Sequence, residues 1–213
     1  MTAARVRSRS STAGRAAGWW GLAFVVLLLV SAGMATTPGR ATPEPVARAF
    51  YLEHRGVVAV AQVVGLLAAA AFLPLAVGLQ RQSPERRGLA AAGFSIAGAA
   101  VLTALPVLTL LAVARTAEAG LLRGLLVASD LADVVLFAAI ALFAVTVALA
   151  ARARWVMALG LLVAALSAAR GILLVAGSSR LEATAPLAFL VLVSLLSIAA
   201  ARGHSLLGSP RVG

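Results

Sequence analysis

Three ionisable side chains stand inside otherwise apolar stretches of this 213-residue chain: Asp130, Asp133 and Arg170. A charge at mid-span costs at least about 2.5–3.5 kcal/mol, so such groups face a bundle interior or a watery cavity and are functional candidates. The two aspartates are three residues apart and share one face of a helix. Measured from the outer end of its own span at ~1.5 Å per residue, Asp130 lies ~9 Å deep, Asp133 ~13 Å and Arg170 ~10 Å. Equal depth on consecutive antiparallel helices predicts an Arg170–Asp ion pair. A bidentate guanidinium–carboxylate contact would offset much of the burial cost. One carboxylate is then left over, to be hydrated, hydrogen-bonded or protonated.

Other polar groups are expected at this depth. Gln62 lies ~9 Å into the second span and Thr103 in the outer half of the third. Ser129 and Ser167 flank the charges, and Glu53 and His54 sit just above. If these helices are neighbours, the residues line an outward-facing polar pocket. Two uses stand side by side: an electrostatic clasp that sets helix register, or a site for a proton, a cation, a metal or a polar headgroup. A metal site built from Glu53, His54, Asp130 and Asp133 lacks ligand spacing, so neither a metal nor a cofactor is expected.

Several chemistries are excluded by composition. There is no cysteine, hence no thiolate, disulfide or Cys-ligated cluster. The two histidines, His54 and His204, fall on opposite sides of the membrane, which excludes a bis-His haem. No HExxH, phosphate-loop or dinucleotide signature occurs. Gly93-Phe94-Ser95-Ile96-Ala97 lacks the closing glycine of a serine nucleophile elbow, and Ser95 is assigned to helix packing. No catalytic residue is assigned, and an enzyme is not the expectation.

The elements that must hold these residues are legible from hydropathy. The chain is 62% hydrophobic and 12% charged, with a mean hydropathy of +1.03. Soluble domains are about 45–50% apolar and about 25% charged, so a water-soluble globule is ruled out. Six apolar runs, near Trp19–Ala35, Gly56–Leu79, Leu89–Ala114, Gly124–Ala150, Trp155–Gly177 and Pro186–Ala201, each approach the ~20 residues that cross a bilayer. They must be helices, because an unpaired backbone group in lipid costs several kcal/mol. The expected fold is all-α: one domain, residues 19–201, forming a six-span transmembrane bundle. A basic disordered tail (1–18) and a short C-terminal tail (202–213) flank it.

All eighteen basic residues are arginine, and the formal net charge is +11. In a soluble protein that would suggest nucleic acid. Here the arginines lie in short loops, where they report topology and contact with anionic lipid instead. With the N-terminus inside, eleven arginines fall on inner segments and six on outer loops, so both termini are expected to be cytoplasmic. Trp19, Trp20 and Trp155 then mark the inner interface. The Arg, Ala, Gly, Leu and Val bias suggests a GC-rich bacterial gene and a bacterial inner-membrane location. The first span also resembles a signal peptide, with Ser31-Ala32-Gly33 as a tolerable cleavage site, but its length favours a retained helix.

The longest loop, Thr36 to Arg55, ends in a short outer interfacial helix, with Thr42 as N-cap, an early proline, and Val46, Phe50 and Tyr51 on one face. Pro74 and Pro106 should bend the second and third spans. Its segment Ala47-Arg48-Ala49-Phe50-Tyr51-Leu52-Glu53-His54-Arg55-Gly56 resembles one in small six-span bacterial membrane proteins of uncharacterised activity. That resemblance implies a fold and a location and brings no chemistry. Small-residue stripes run along the fifth span (Gly160, Ala164, Ser167, Gly171) and the third (Ala92, Ser95, Ala99, Thr103). They allow close helix approach, within the chain or in a homodimer. The functional expectation is a small transporter or polar-ligand-binding protein; the alternative is a non-catalytic structural or assembly subunit.

Overall fold

The computed structural model describes residues 2–34, 36–83, 88–178, 180–204, 206 and 207, with side chains from Gly14 onward. Over the described residues it is all-helical, with seven helices: α1 (Thr2–Met34), α2 (Glu44–Glu53), α3 (Arg55–Gln82), α4 (Leu89–Val113), α5 (Ala119–Ala150), α6 (Arg154–Val175) and α7 (Thr184–Ala201). Every one except α2 is long and apolar enough to cross a membrane, α1 over Gly14–Met34. Three of the eleven inner arginines, Arg86, Arg87 and Arg211, lie outside the described residues.

The first boundary differs from expectation. Helix α1 runs back through the stretch read as a disordered tail, and Ala17 is buried. A Cβ on Gly18 would collide with the Ala201 backbone and Ser197 O of α7, so the glycine is what lets the two helices touch. At the far end of the chain, Leu207 is buried and bridges Ala151, and Arg152 N–H donates to Leu206 O at 2.9 Å.

Each spanning helix packs on its neighbours in the chain, and α7 returns against α1, so the six helices close a ring. Its centre is filled by Phe24, Phe72, Phe143 and Phe189, one each from α1, α3, α5 and α7. Five of their six pairs have ring centroids 4.9–6.3 Å apart, mostly tilted or edge-on. Lipid offers no hydrophobic drive between helices, so dispersion and quadrupole contacts of this kind hold these four helices together at the centre. The α6 stripe faces α5: Gly160 stands against Ala144 and Ala148, and Gly171 against Phe137 and Val134. It serves intrachain packing. On α4 the seam is Leu89, Ala92, Gly93, Ile96 and Ala99. Ser95 is not in it; it is exposed and donates to Ala91 O at 3.1 Å within its own helix. Both α3 and α4 continue through Pro74 and Pro106.

Helix α2 lies across one end of the ring, on α3, α4 and α5. Its N-cap is Pro43 rather than Thr42, and Pro45 sits in the first turn, where a missing N–H costs nothing. Its buried face is Ala47 and Tyr51, with Phe50 packed beside them, while Val46 points away and is exposed. These residues join a second apolar cluster with Val107, Leu110, Leu122 and Leu126.

Candidate functional site

The α2 end of the ring collects six helix termini: the C-terminal ends of α1, α4 and α6 and the N-terminal ends of α3, α5 and α7. A helix C-terminus leaves carbonyls without intrahelical donors and carries partial negative charge. Arginines supply the donors. Arg48, on α2, donates to Ala114 O at 2.8 Å and Ala117 O at 2.7 Å beyond α4, and is itself held by Glu44 at 2.7 Å. Arg40, in the loop between α1 and α2, donates through Nη2 to Leu174 O at 2.8 Å and Val175 O at 2.6 Å at the end of α6. Arg170 donates through Nη1 to Ser178 O at 2.7 Å and Arg180 O at 3.2 Å just past α6.

The end of α6 shows why this arrangement forms. Gly177 adopts φ +76°, the left-handed position that terminates a helix. Its N–H bonds Leu174 O at 3.0 Å, and Ser178 N–H reaches back to Leu173 O at 2.8 Å. This doubly bonded cap turns the following segment over the helix end and brings Ser178 O and Arg180 O onto the Arg170 guanidinium.

The predicted Arg170–Asp ion pair is therefore not made. Among the described residues neither carboxylate lies within 4.0 Å of Arg170. Two carbonyls near its own helix end satisfy Nη1 without immobilising a second charged side chain. Arg40 takes the carboxylate instead: its Nε stands 3.6 Å from Asp130 Oδ2, and its backbone N–H donates to the same oxygen at 3.3 Å. Depth counting along the spans could not foresee a partner arriving from a loop.

The three intramembrane charges nevertheless share one cavity of about 440 Å³. Asp130 and Asp133 line it from α5, Arg170 from α6, and the 36–41 loop with Arg40 roofs it. Arg170 is nearly buried, with its guanidinium carbon 6.0 Å from the centre of the Phe137 ring. Asp133 makes no hydrogen bond or ion pair among the described residues and is open to the cavity. Thr36, Thr37, Ser129 and Ser178 add hydroxyls, and Glu182 stands exposed at the rim.

Of the other predicted lining residues only Ser129 reaches the cavity. Gln62 is half-buried on α3, outside it. The Thr103 hydroxyl bonds Ala100 O at 2.9 Å in its own helix, and Ser167 is fully buried in the α5–α6 seam. Glu53 and His54 are exposed at the α2–α3 joint, where His54 stacks on Phe50 at 4.7 Å. No group of three or more His, Cys, Asp or Glu side chains comes together among the described residues. Sequence reasoning misses Arg40, which enters it only as one of the six outer-loop arginines. No sequence signal marks it: only the fold lays the loop backbone on that carboxylate, where a Cβ on Gly39 would stand 3.3 Å from Asp130 Oδ1.

Tyr51 borders this region from α2. Burial pushes its phenol up to about 12, and the Asp130 carboxylate adds to the shift. Its hydroxyl has no hydrogen-bond partner among the described residues. Comparison with known protein families, curated proteins and solved structures finds no match.

Proposed function

We propose that this protein is a small multi-pass membrane protein that binds a polar ligand in the cavity under the 36–41 loop. What carries the reading is Asp133. A carboxylate within a spanning helix, open to a cavity and without a direct partner, costs several kcal/mol unless something hydrates or binds it. A structural clasp would have closed on it; the clasp that does form, Arg40 to Asp130, leaves it free. The cavity falls in the size range of small-molecule sites, about 300–1,000 Å³. Beneath it the phenylalanine centre fills the ring, which favours a binding protein, or a transporter in a state closed on one side.

The arginine distribution supports an extracytoplasmic position for the cavity, with both termini cytoplasmic in a bacterial inner membrane and anionic lipid at the inner face. Thermal unfolding of the purified protein against a panel of small polar and charged solutes tests the reading. At least one solute should raise the melting temperature of the wild type and fail to do so in Asp133→Asn. If no solute stabilises the wild type, or every stabilising solute acts equally on Asp133→Asn, the proposal is wrong and the structural-subunit alternative takes its place.

A further inference from the structure

We infer that the ligand is a compact zwitterion, with a primary ammonium on Asp133 and an oxyanion on the free edge of Arg170. This rests on the binding reading above and adds the ligand's chemical class. The charges facing the cavity do not balance one another completely. Arg40 and Asp130 form a pair. Arg170 has spent Nη1 on two backbone carbonyls, and its Nε is sealed away from solvent. Nη2 is left without a partner among the described residues, and it is not one of the atoms sealed from the cavity. Asp133 has no hydrogen bond or ion pair among the described residues. One positive and one negative group within the spanning helices therefore face the same space, each with unused hydrogen-bonding capacity and not in ion-pair contact with each other, while a further carboxylate, Glu182, stands exposed to solvent at the rim.

A singly charged solute would answer one of them and leave the other uncompensated in a low-dielectric wall. A zwitterion answers both and brings no net charge with it, through two charge-assisted hydrogen bonds. The cationic end is a primary rather than a quaternary ammonium, because no aromatic ring lines the cavity among the described residues. Quaternary ammonium recognition relies on aromatic faces, whereas a primary ammonium donates directly to a carboxylate. Two sources offer this chemistry, a free amino acid and an ethanolamine phosphate headgroup.

The full chain in nanodiscs of pure phosphatidylglycerol, titrated with glycine, β-alanine, ethanolamine phosphate, glycine betaine, acetate and methylammonium, tests the inference by thermal shift. At least one primary-ammonium zwitterion should stabilise the protein, with betaine, acetate and methylammonium weaker. Asp133→Asn should weaken the zwitterion about ten- to a hundredfold, the worth of a charge-assisted hydrogen bond, and leave acetate as good a ligand as the zwitterion. Asp133 makes no hydrogen bond or ion pair among the described residues, so this near-isosteric variant keeps the fold. Adding phosphatidylethanolamine to the discs separates the sources: it abolishes the soluble zwitterion's shift if the headgroup is the ligand and leaves it intact if the ligand is free. Stabilisation by acetate or methylammonium alone, still sensitive to Asp133→Asn, overturns the zwitterion and keeps the binding site. So does betaine acting as well as glycine. No shift with any solute and none from phosphatidylethanolamine overturns both.

Discussion

Arg40 makes contacts of unequal worth, and the difference is measurable. Its ion pair to Asp130 is half-buried and 3.6 Å long, the class worth about 0.2–1 kcal/mol. Its hydrogen bonds to Leu174 O and Val175 O are short and satisfy helix-terminal carbonyls; hydrogen bonds to charged groups are worth about 1.5–3 kcal/mol. Asp130→Asn should therefore lower stability by no more than about 1 kcal/mol, and Arg40→Ala by about 1.5–3 kcal/mol, read by thermal unfolding. Equal costs would mean that the carboxylate, not the helix end, anchors the loop. Tyr51 makes a second residue-scale prediction, because it is the only tyrosine in the chain. The folded protein holds the phenol neutral, so its contribution to stability is intact below the ordinary value of 10.0 and is lost as pH climbs toward about 12. Tyrosinate absorbance should rise with a midpoint near 12 in the folded protein and near 10 after denaturation. A folded-state midpoint near 10 would contradict the burial of this side chain.

Among the elements, the spans were legible because a bilayer imposes two blunt rules, about 20 apolar residues per crossing and no unpaired backbone. Hydropathy starts the fourth span at Gly124, but α5 begins at Ala119, since Ala119 to Leu122 are apolar enough to extend the helix and Arg123 is tolerated near its end. Loop geometry was not legible. Neither the cap at Gly177 nor the path of the 36–41 loop follows from hydropathy, and these decide which partners Arg170 and Asp130 find. Helix α2 shows the same limit: its length and proline were readable, but its rotation, burying Ala47 and Tyr51 and exposing Val46, depends on the α4 and α5 surface beneath it. Close approach at Gly18 gives the element-scale prediction. Gly18→Val should destabilise the protein by about 1–3 kcal/mol through overpacking against α7. Gly98→Val, on a face of α4 with nothing near it, should be tolerated. Equal tolerance at the two positions would rule out the α1–α7 contact that closes the ring.

Across the whole molecule, the same three charges picked out by type and depth, Asp130, Asp133 and Arg170, do meet in one cavity. Their pairing differs, because the ring order and the roof are properties of the assembled chain. Topology can be tested without background, since the chain has no cysteine. A cysteine at Ala41 or Glu118 should react with an impermeant maleimide on intact cells, and one at Arg154 only after permeabilisation. The reverse pattern would place the cavity on the cytoplasmic side and remove the outward-facing part of the proposal. The most direct measurement for the central claim is an experimental map of the protein in lipid, at a resolution that shows bound small molecules. The account predicts non-protein density in contact with both the Asp133 carboxylate and Arg170 Nη2, under an Arg40 still seated on the end of α6. A map in which the guanidinium of Arg170 closes directly onto Asp133 and the cavity is gone would contradict it.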